Sequence, residues 1–209
     1  MAAPEIVPYD PAWPSFASRW ILRIRDAFVQ SGIPATEFAH IGSTAVPGLA
    51  AKPYLDLQVL VPAIPEEGVV GSALGPLMIE RARGSRPDSP GVDVDIPRPG
   101  SDPRHHEKLL YFRELDRNGS LRGLILHIRR ADSPFADFVV SFRDWLRAVP
   151  AARAEYEELK RHLAEENAGA ADYDDYTRAK SAFMDRAQSA MGWPRASAPR
   201  GATAPSLEG

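Results

Sequence analysis

The sequence predicts an α/β (α+β) protein, a mixed β-sheet flanked by helices with a helical C-terminal segment. Three observations predict it. Apolar residues recur at three- and four-residue steps near both ends of the chain. In the middle they fall in short runs between prolines and glycines. Of the 209 residues, 44% are apolar, enough for a large core. A chain of this length hides roughly 70% of the surface that its unfolded form exposes, so it needs no disulfide or metal staple.

The first helix is signalled by Asp10 as a cap and Pro11 in the first turn. Trp13, Phe16, Trp20, Ile24 and Phe28 then share one face, and Gly32 ends the helix. Strands are predicted at Glu37 to Ile41, Tyr54 to Val61, Lys108 to Leu115 and Leu121 to Arg129. The last two are joined through Arg117-Asn118-Gly119, a hairpin-type turn. Glu66 to Met78 holds a short helix. Between Ser85 and Arg104 the prolines Pro87, Pro90, Pro97, Pro99 and Pro103 mark a long irregular loop. Ser133-Pro134 caps a helix whose apolar stripe runs through Phe135, Phe138, Val139, Phe142, Trp145 and Leu146. Ala151 to Glu166 and Asp172 to Met191 supply two more helices. Residues 1–191 therefore read as a single domain, helical over 133–191. The segment 192–209, rich in Pro, Ala, Ser and Gly, reads as a disordered tail.

The absence of cysteine removes disulfide scaffolds, zinc ribbons, thiol nucleophiles and iron–sulfur sites. A net charge of −3 argues against a broad phosphate-backbone footprint, so no nucleic-acid partner is expected. No apolar run approaches the ~18 residues of a membrane span, and the first residues lack a signal-peptide pattern. No membrane partner and a cytoplasmic location are the expectation.

The chemistry is concentrated between His40 and Gln58. A strand ending at Ile41 runs into Gly42-Ser43-Thr44, a turn that lets backbone approach an anion and offers two hydroxyls. It lacks the Walker A spacing. Lys52 follows, placed to neutralise a phosphate. In the next strand Asp56 and Gln58 share a face opposite the aliphatic Leu55, Leu57, Val59 and Val61, and Asp56 is the candidate Mg²⁺ ligand. On the fourth strand His127 and Arg129 share a face, where Arg129 is a candidate phosphate clamp. His40 and His127 read equally as structural histidines or ligand contacts. Arg143 and Arg147 lie on adjacent turns, either a solvated helix face or a phosphate contact.

Strand, Gly-Ser turn, spacer and Asp-bearing strand form the pattern of nucleotidyltransferases related to DNA polymerase β. The sequence resembles the GrpB-like family assigned to that fold. The resemblance rests on Val7 to Trp13, His40 to Gly48, Ala51 to Asp56, Leu126-His127-Ile128 and Phe142 to Arg147. Tyr156 with Lys160 and Tyr173 with Lys180 complete it, so that it extends nearly to Trp193. It implies a nucleotidyltransferase-like fold that binds a nucleoside triphosphate or related phosphorylated molecule and transfers a nucleotidyl group, with Mg²⁺, to an unknown acceptor. Asp56 and Gln58 would be the catalytic pair, with His40, Gly42, Ser43, Thr44, Lys52, His127, Arg129 and Arg143 around the nucleotide. Gln58 departs from the acidic pair that two-metal transfer wants, because an amide brings no charge. The alternative is a non-catalytic nucleotide- or metabolite-binding module, linked to coenzyme A metabolism through family fusions with dephospho-coenzyme A kinases.

Other patterns read as decoys. Asp93-Val94-Asp95 lies in the proline-rich loop with no Gly-Ser turn before it. His105-His106-Glu107 reads as solvated loop, since adjacent histidines on extended chain point apart. Lys180 reads as surface, and Ser43 has no nucleophile-elbow context.

Overall fold

The structure is a computed structural model and describes residues 5–84, 89, 91–95, 103–115, 120–169 and 174–193. Helix α1 (Trp13–Gln30) leads into β1 (Glu37–Ile41), a short 3₁₀ turn (Ser43–Ala45) and β2 (Tyr54–Val61). Helix α2 (Glu67–Leu74) precedes β3 (Glu80–Arg81), β4 (Lys108–Glu114) and β5 (Gly123–Arg130). Helices α3 (Pro134–Ala148), α4 (Pro150–Glu166), α5 (Asp174–Ala179) and α6 (Ser181–Ala190) complete the described fold. The sheet is mixed, in the order β1-β2-β5-β4-β3, with β2 and β5 parallel and the other neighbours antiparallel.

Both faces of the sheet are covered. On one, Leu55, Leu57, Val59 and Val61 of β2 and Leu124, Leu126 and Ile128 of β5 pack with Trp13, Trp20, Ile24 and Phe28 of α1. On the other, α3 crosses the sheet and continues into a second cluster of Phe138, Phe142, Tyr156 and Phe183 that unites α3, α4 and α6. No helix among the described residues is long and apolar enough to cross a membrane.

The elements follow the sequence pattern, with four differences. First, α1 starts at Trp13, because Asp10 caps a turn ahead of it. Asp10 Oδ1 accepts the Ala12 N–H at 2.8 Å and its carbonyl accepts the Trp13 N–H at 3.1 Å. Second, the helix expected over 172–191 is broken at Lys180 into α5 and α6. Third, β3 is a two-residue edge strand, too short for a period-2 pattern to reveal, paired with Tyr111 and Phe112. Fourth, the end of the proline-rich segment is ordered: Val94 bridges Glu107, and Pro103–His106 is a 3₁₀ turn. His106 is fully buried beside the Phe135 ring, so the solvated reading of that histidine does not hold. The Asn118-Gly119 turn, Pro87, Pro90, Pro97, Pro99 and the segment beyond 193 lie outside the described residues.

Candidate functional site

Strand alternation and register assemble the site. Asp56 pairs with Ile41 on one side and Ile125 on the other, Gln58 with His127, and Lys108 with Arg129. Asp56, Gln58, His127, Arg129 and Lys108 therefore project from one face of β2, β5 and β4, under α3. A cavity of about 360 Å³ lies between this face and the C-terminal helices. Its polar lining includes Ser43, Lys52, Asp56, Lys108, His127, Lys160 and Lys180. Its apolar lining includes Phe135, Val139, Phe142 and Leu146 of α3, Met184 of α6, and Ile41, Leu110 and Ile125 of the sheet.

The turn after β1 is built around Asp56. Gly42 has φ +70° and ψ −171°, a region essentially open only to glycine, and a Cβ there would overlap the Asp56 carboxylate. Asp56 is 31% exposed and faces the cavity. Burial pushes its pKa up, yet the hydrogen bond and field of His127 and the charges of Lys52 and Lys180 outweigh this. The carboxyl is held below its ordinary value. His127 Nδ1 faces Lys108 Nζ at 3.3 Å and Arg129 Nη2 at 3.2 Å, groups that only donate as cations. Nδ1 thus holds the lone pair, and Nε2–H is directed at Asp56 Oδ1, 3.5 Å away. Burial, then the Arg129 and Lys108 charges, lower the His127 pKa to about 4, so the ring is neutral at pH 7.

Several expected ligand contacts have other work. His40 pairs with Leu57 and so stands on the opposite face of the sheet from Asp56; it does not line the cavity. Its Nε2–H reaches Thr44 Oγ1 at 3.0 Å, and that hydroxyl donates to the Tyr54 carbonyl at 3.2 Å, fixing the turn. Ser43 is hydrogen-bonded to Tyr156. Gln58 is 1% exposed: its amide oxygen accepts from Arg129 at 2.9 Å and its NH₂ donates to the Ala136 carbonyl at 3.3 Å. It therefore lies beneath the cavity as a brace between β5 and α3, with the oxygen proposed for a metal already taken. Arg129 is buried in a two-bond fork on Asp95, at 2.7 and 2.8 Å, and Asp95 also pairs with Lys108 at 2.9 Å. Arg143 reaches the His40 carbonyl at 2.8 Å and forks onto Asp144.

Arg143 is one member of a wider clamp. Arg147 donates twice to the Ala45 carbonyl at 3.0 and 2.7 Å, and Arg153 donates to the Pro47 carbonyl at 3.2 Å. Lys160 donates to the Ala50 carbonyl, while Glu157 accepts the Ala50 N–H at 3.0 Å. Helices α3 and α4 thus hold the segment between β1 and β2 by its main chain.

Among the described residues no three His, Cys, Asp or Glu side chains converge as a metal group. Asp95 is neutralised by two cations and Gln58 is engaged at both ends, leaving Asp56 as the carboxylate facing the cavity. This donor set does not fit a two-ion Mg²⁺ centre. It does fit an anion. Lys52 and Lys180 both stand over the Tyr176 ring, at 5.0 and 4.6 Å from its centroid. Burial lowers the pKa of all four lysines, to about 7 for Lys160 and Lys180 and about 8 for Lys108.

A family model described as GrpB protein matches residues 3–190. The chain belongs to the GrpB family. UPF0157 protein SCO7215 of Streptomyces coelicolor is 32% identical over 173 residues, covering 83% of this chain and 76% of that one. A dephospho-CoA kinase of Mycolicibacterium paratuberculosis is 31% identical over 198 residues, covering 90% of this chain but 46% of the kinase. The chain thus spans about half the length of that relative. The solved structure of GrpB from Enterococcus faecalis has the same fold, with a TM-score of 0.65 at 22% identity and coverage of 90% and 96%.

In this GrpB-family chain, sequence reasoning missed Asp95, Lys108, Tyr156, Lys160, Tyr176 and Lys180 as cavity residues. Lys180, read as surface, is turned into the cavity at the α5–α6 break. Asp95, read as a decoy, is buried at its floor. Two signals point to all of them but Asp95. Tyr156 and Lys160, like Tyr176 and Lys180, stand four residues apart and so on one helix face. The chain also has only four lysines beside 21 arginines, and all four lysines line this cavity.

Proposed function

We propose that the cavity binds a nucleoside triphosphate or a related phosphorylated small molecule, and that it does so without a two-ion metal centre. The observation that carries this reading is the cavity wall, which combines four lysines and the Ser43 turn with aromatic and aliphatic residues of α3 and α6. Ammonium groups in a partly desolvated pocket attract phosphate strongly. The apolar wall suits a base or another flat organic group. Asp56, ionised, accepts a hydrogen bond from a ligand hydroxyl or amine. The relatives named dephospho-CoA kinase bring coenzyme A precursors into the set of ligands to be tried.

The second reading, Mg²⁺-dependent nucleotidyl transfer to an acceptor, is favoured by one feature, the Asp56 carboxylate packed against the Gly42 turn. A melting screen of the full chain against nucleotides and coenzyme A precursors, each with Mg²⁺ or with EDTA, separates the two. At 100 times its dissociation constant a ligand stabilises by about 2.7 kcal/mol, a rise of roughly 5–10 °C for a chain of this size. The expected result is a rise that survives EDTA. A rise that vanishes in EDTA favours metal-dependent transfer, and no rise with any phosphorylated compound overturns both.

A further inference from the structure

Every lysine of the chain lines one cavity, and every other strong side-chain cation is arginine. Charge alone does not call for lysine there, since guanidinium is the better fork for phosphate and keeps its proton. What lysine adds is a primary amine that can lose a proton and attack carbon. The four are not equivalent. Lys108 is paired with Asp95, and Lys160 donates to the Ala50 carbonyl that it braces. Lys52 precedes β2, within the field of Asp56. Lys180, at the break between α5 and α6, has the face of Tyr176 at 4.6 Å. Among the described residues its ammonium has no hydrogen-bond acceptor and no ion-pair partner. Lys52 stands over the same ring at 5.0 Å, a second cation that disfavours charge on Lys180. Burial and that neighbour, partly offset by the Asp56 charge, bring the Lys180 pKa down to about 7, which leaves much of it as free amine at neutral pH.

We propose that Lys180 is a reactive amine and that the cavity takes phosphorylated carbonyl compounds, whose aldehyde or ketone carbon condenses with it to an imine. This rests on the phosphate-binding reading and names a covalent chemistry for the same pocket. The Lys180 nitrogen adds to the carbonyl carbon, a C=N bond replaces C=O, and the oxygen leaves as water with the two amine hydrogens. No oxidant, reductant or further reactant is consumed. Lys52, which stands over the same Tyr176 ring, holds the phosphate.

The test uses the full chain with pyridoxal 5′-phosphate as the probe, borohydride to trap the imine, and peptide mass spectrometry to locate it. With four side-chain amines in the chain, each is read separately. Lys180 is expected to be modified at least about ten-fold more than the other three, and at least about ten-fold more than by pyridoxal without its phosphate. A charge-assisted phosphate contact is worth a factor of that size. Lys180→Arg and Lys180→Met should both lose the adduct without moving it to another lysine. Even labelling of the four lysines, or equal labelling by pyridoxal, overturns the proposal. If pyridoxal phosphate labels Lys180 selectively while no nucleotide raises the melting temperature, the nucleotide reading fails and this one stands. Nucleotide binding with no trapped imine does the reverse.

Discussion

The two faces of the sheet are made by alternate residues of the same strands, and they are built to opposite rules. Toward α1, Leu55, Leu57 and Val59 of β2 and Leu124, Leu126 and Ile128 of β5 close an apolar core with aromatic residues of the helix. Toward α3, the intervening residues Asp56, Gln58, His127 and Arg129 bury charge and amide groups around a cavity. The first face gains stability with each residue it hides. The second loses some to desolvation and recovers it only where each charge meets a partner. That face is the one on which the proposed ligand site lies.

The comparison is tested hardest at Asp95, which neutralises Arg129 and Lys108 at once. Asp95→Asn leaves two buried cations without a counter-charge and should cost about 3–5 kcal/mol in urea unfolding at pH 7. Asp95→Leu combined with Arg129→Met removes one buried ion pair but leaves Lys108 without its carboxylate, and should recover part of that. A loss under about 1 kcal/mol in the single variant would show that the polar face is wetter than its geometry states. Opposite it, Leu57→Ala should cost about 2–5 kcal/mol through the cavity it opens, and leave affinity for the proposed ligand in a titration unchanged. Equal damage to binding would mean that the two faces are coupled through β2.

Gly42→Ala joins the two concerns at one atom. Its backbone conformation costs a non-glycine residue about 1–3 kcal/mol, and the new methyl must push the Asp56 carboxylate aside. Stability should fall by that amount, and ligand affinity should fall with it in calorimetric titration. Weakened folding with intact affinity would remove Asp56 from the binding site.

The apolar face was almost wholly legible in the sequence, because alternation in Leu55 to Val61 and three- and four-residue spacing from Trp13 to Phe28 are properties of a single element. The Gly42 turn and Asp56 were legible for the same reason: strand, turn and strand are consecutive. The rest of the site was not, since its partners arrive from distant segments. Asp95 lies outside any named strand and meets Arg129 only through tertiary packing. Lys160 and Lys180 face inward only because α4 to α6 fold back over the sheet. Gln58 stands on the expected face and Arg143 on the expected helix, but each is engaged by protein partners, because spacing gives the face of a residue and not the partner waiting there.

Lys180 offers an effect of the opposite sign. Its folded pKa of about 7 lies below the ordinary lysine value of 10.5, so between those values the unfolded chain binds more protons than the folded one. Stability contributed by this group therefore rises with pH across that window, and the penalty for burying its charge is fully present below about pH 7. The charged groups facing it are Lys52, Asp56 and Lys160, of which the two lysines oppose its protonation. Lys180→Met should raise the melting temperature at pH 6 and give up most of that gain by pH 10. A gain that is flat with pH would trace to apolar packing and not to charge.

The smallest effects should come from the clamp that ties α3 and α4 to the segment between β1 and β2. Arg147 is 41% exposed, yet it places two donors on the Ala45 carbonyl, so Arg147→Ala should cost about 1 kcal/mol. Arg153, with one exposed bond of 3.2 Å to the Pro47 carbonyl, should be near neutral on replacement by alanine. Both are read by urea unfolding, and the contrast between them matters more than either value. If Arg147→Ala is also neutral, the turn is held from within by His40, Thr44 and the Tyr54 carbonyl, and the polar face is organised by the sheet. If it costs the expected amount and weakens ligand binding, the C-terminal helices set the shape of the site as much as the strands that carry its carboxylate.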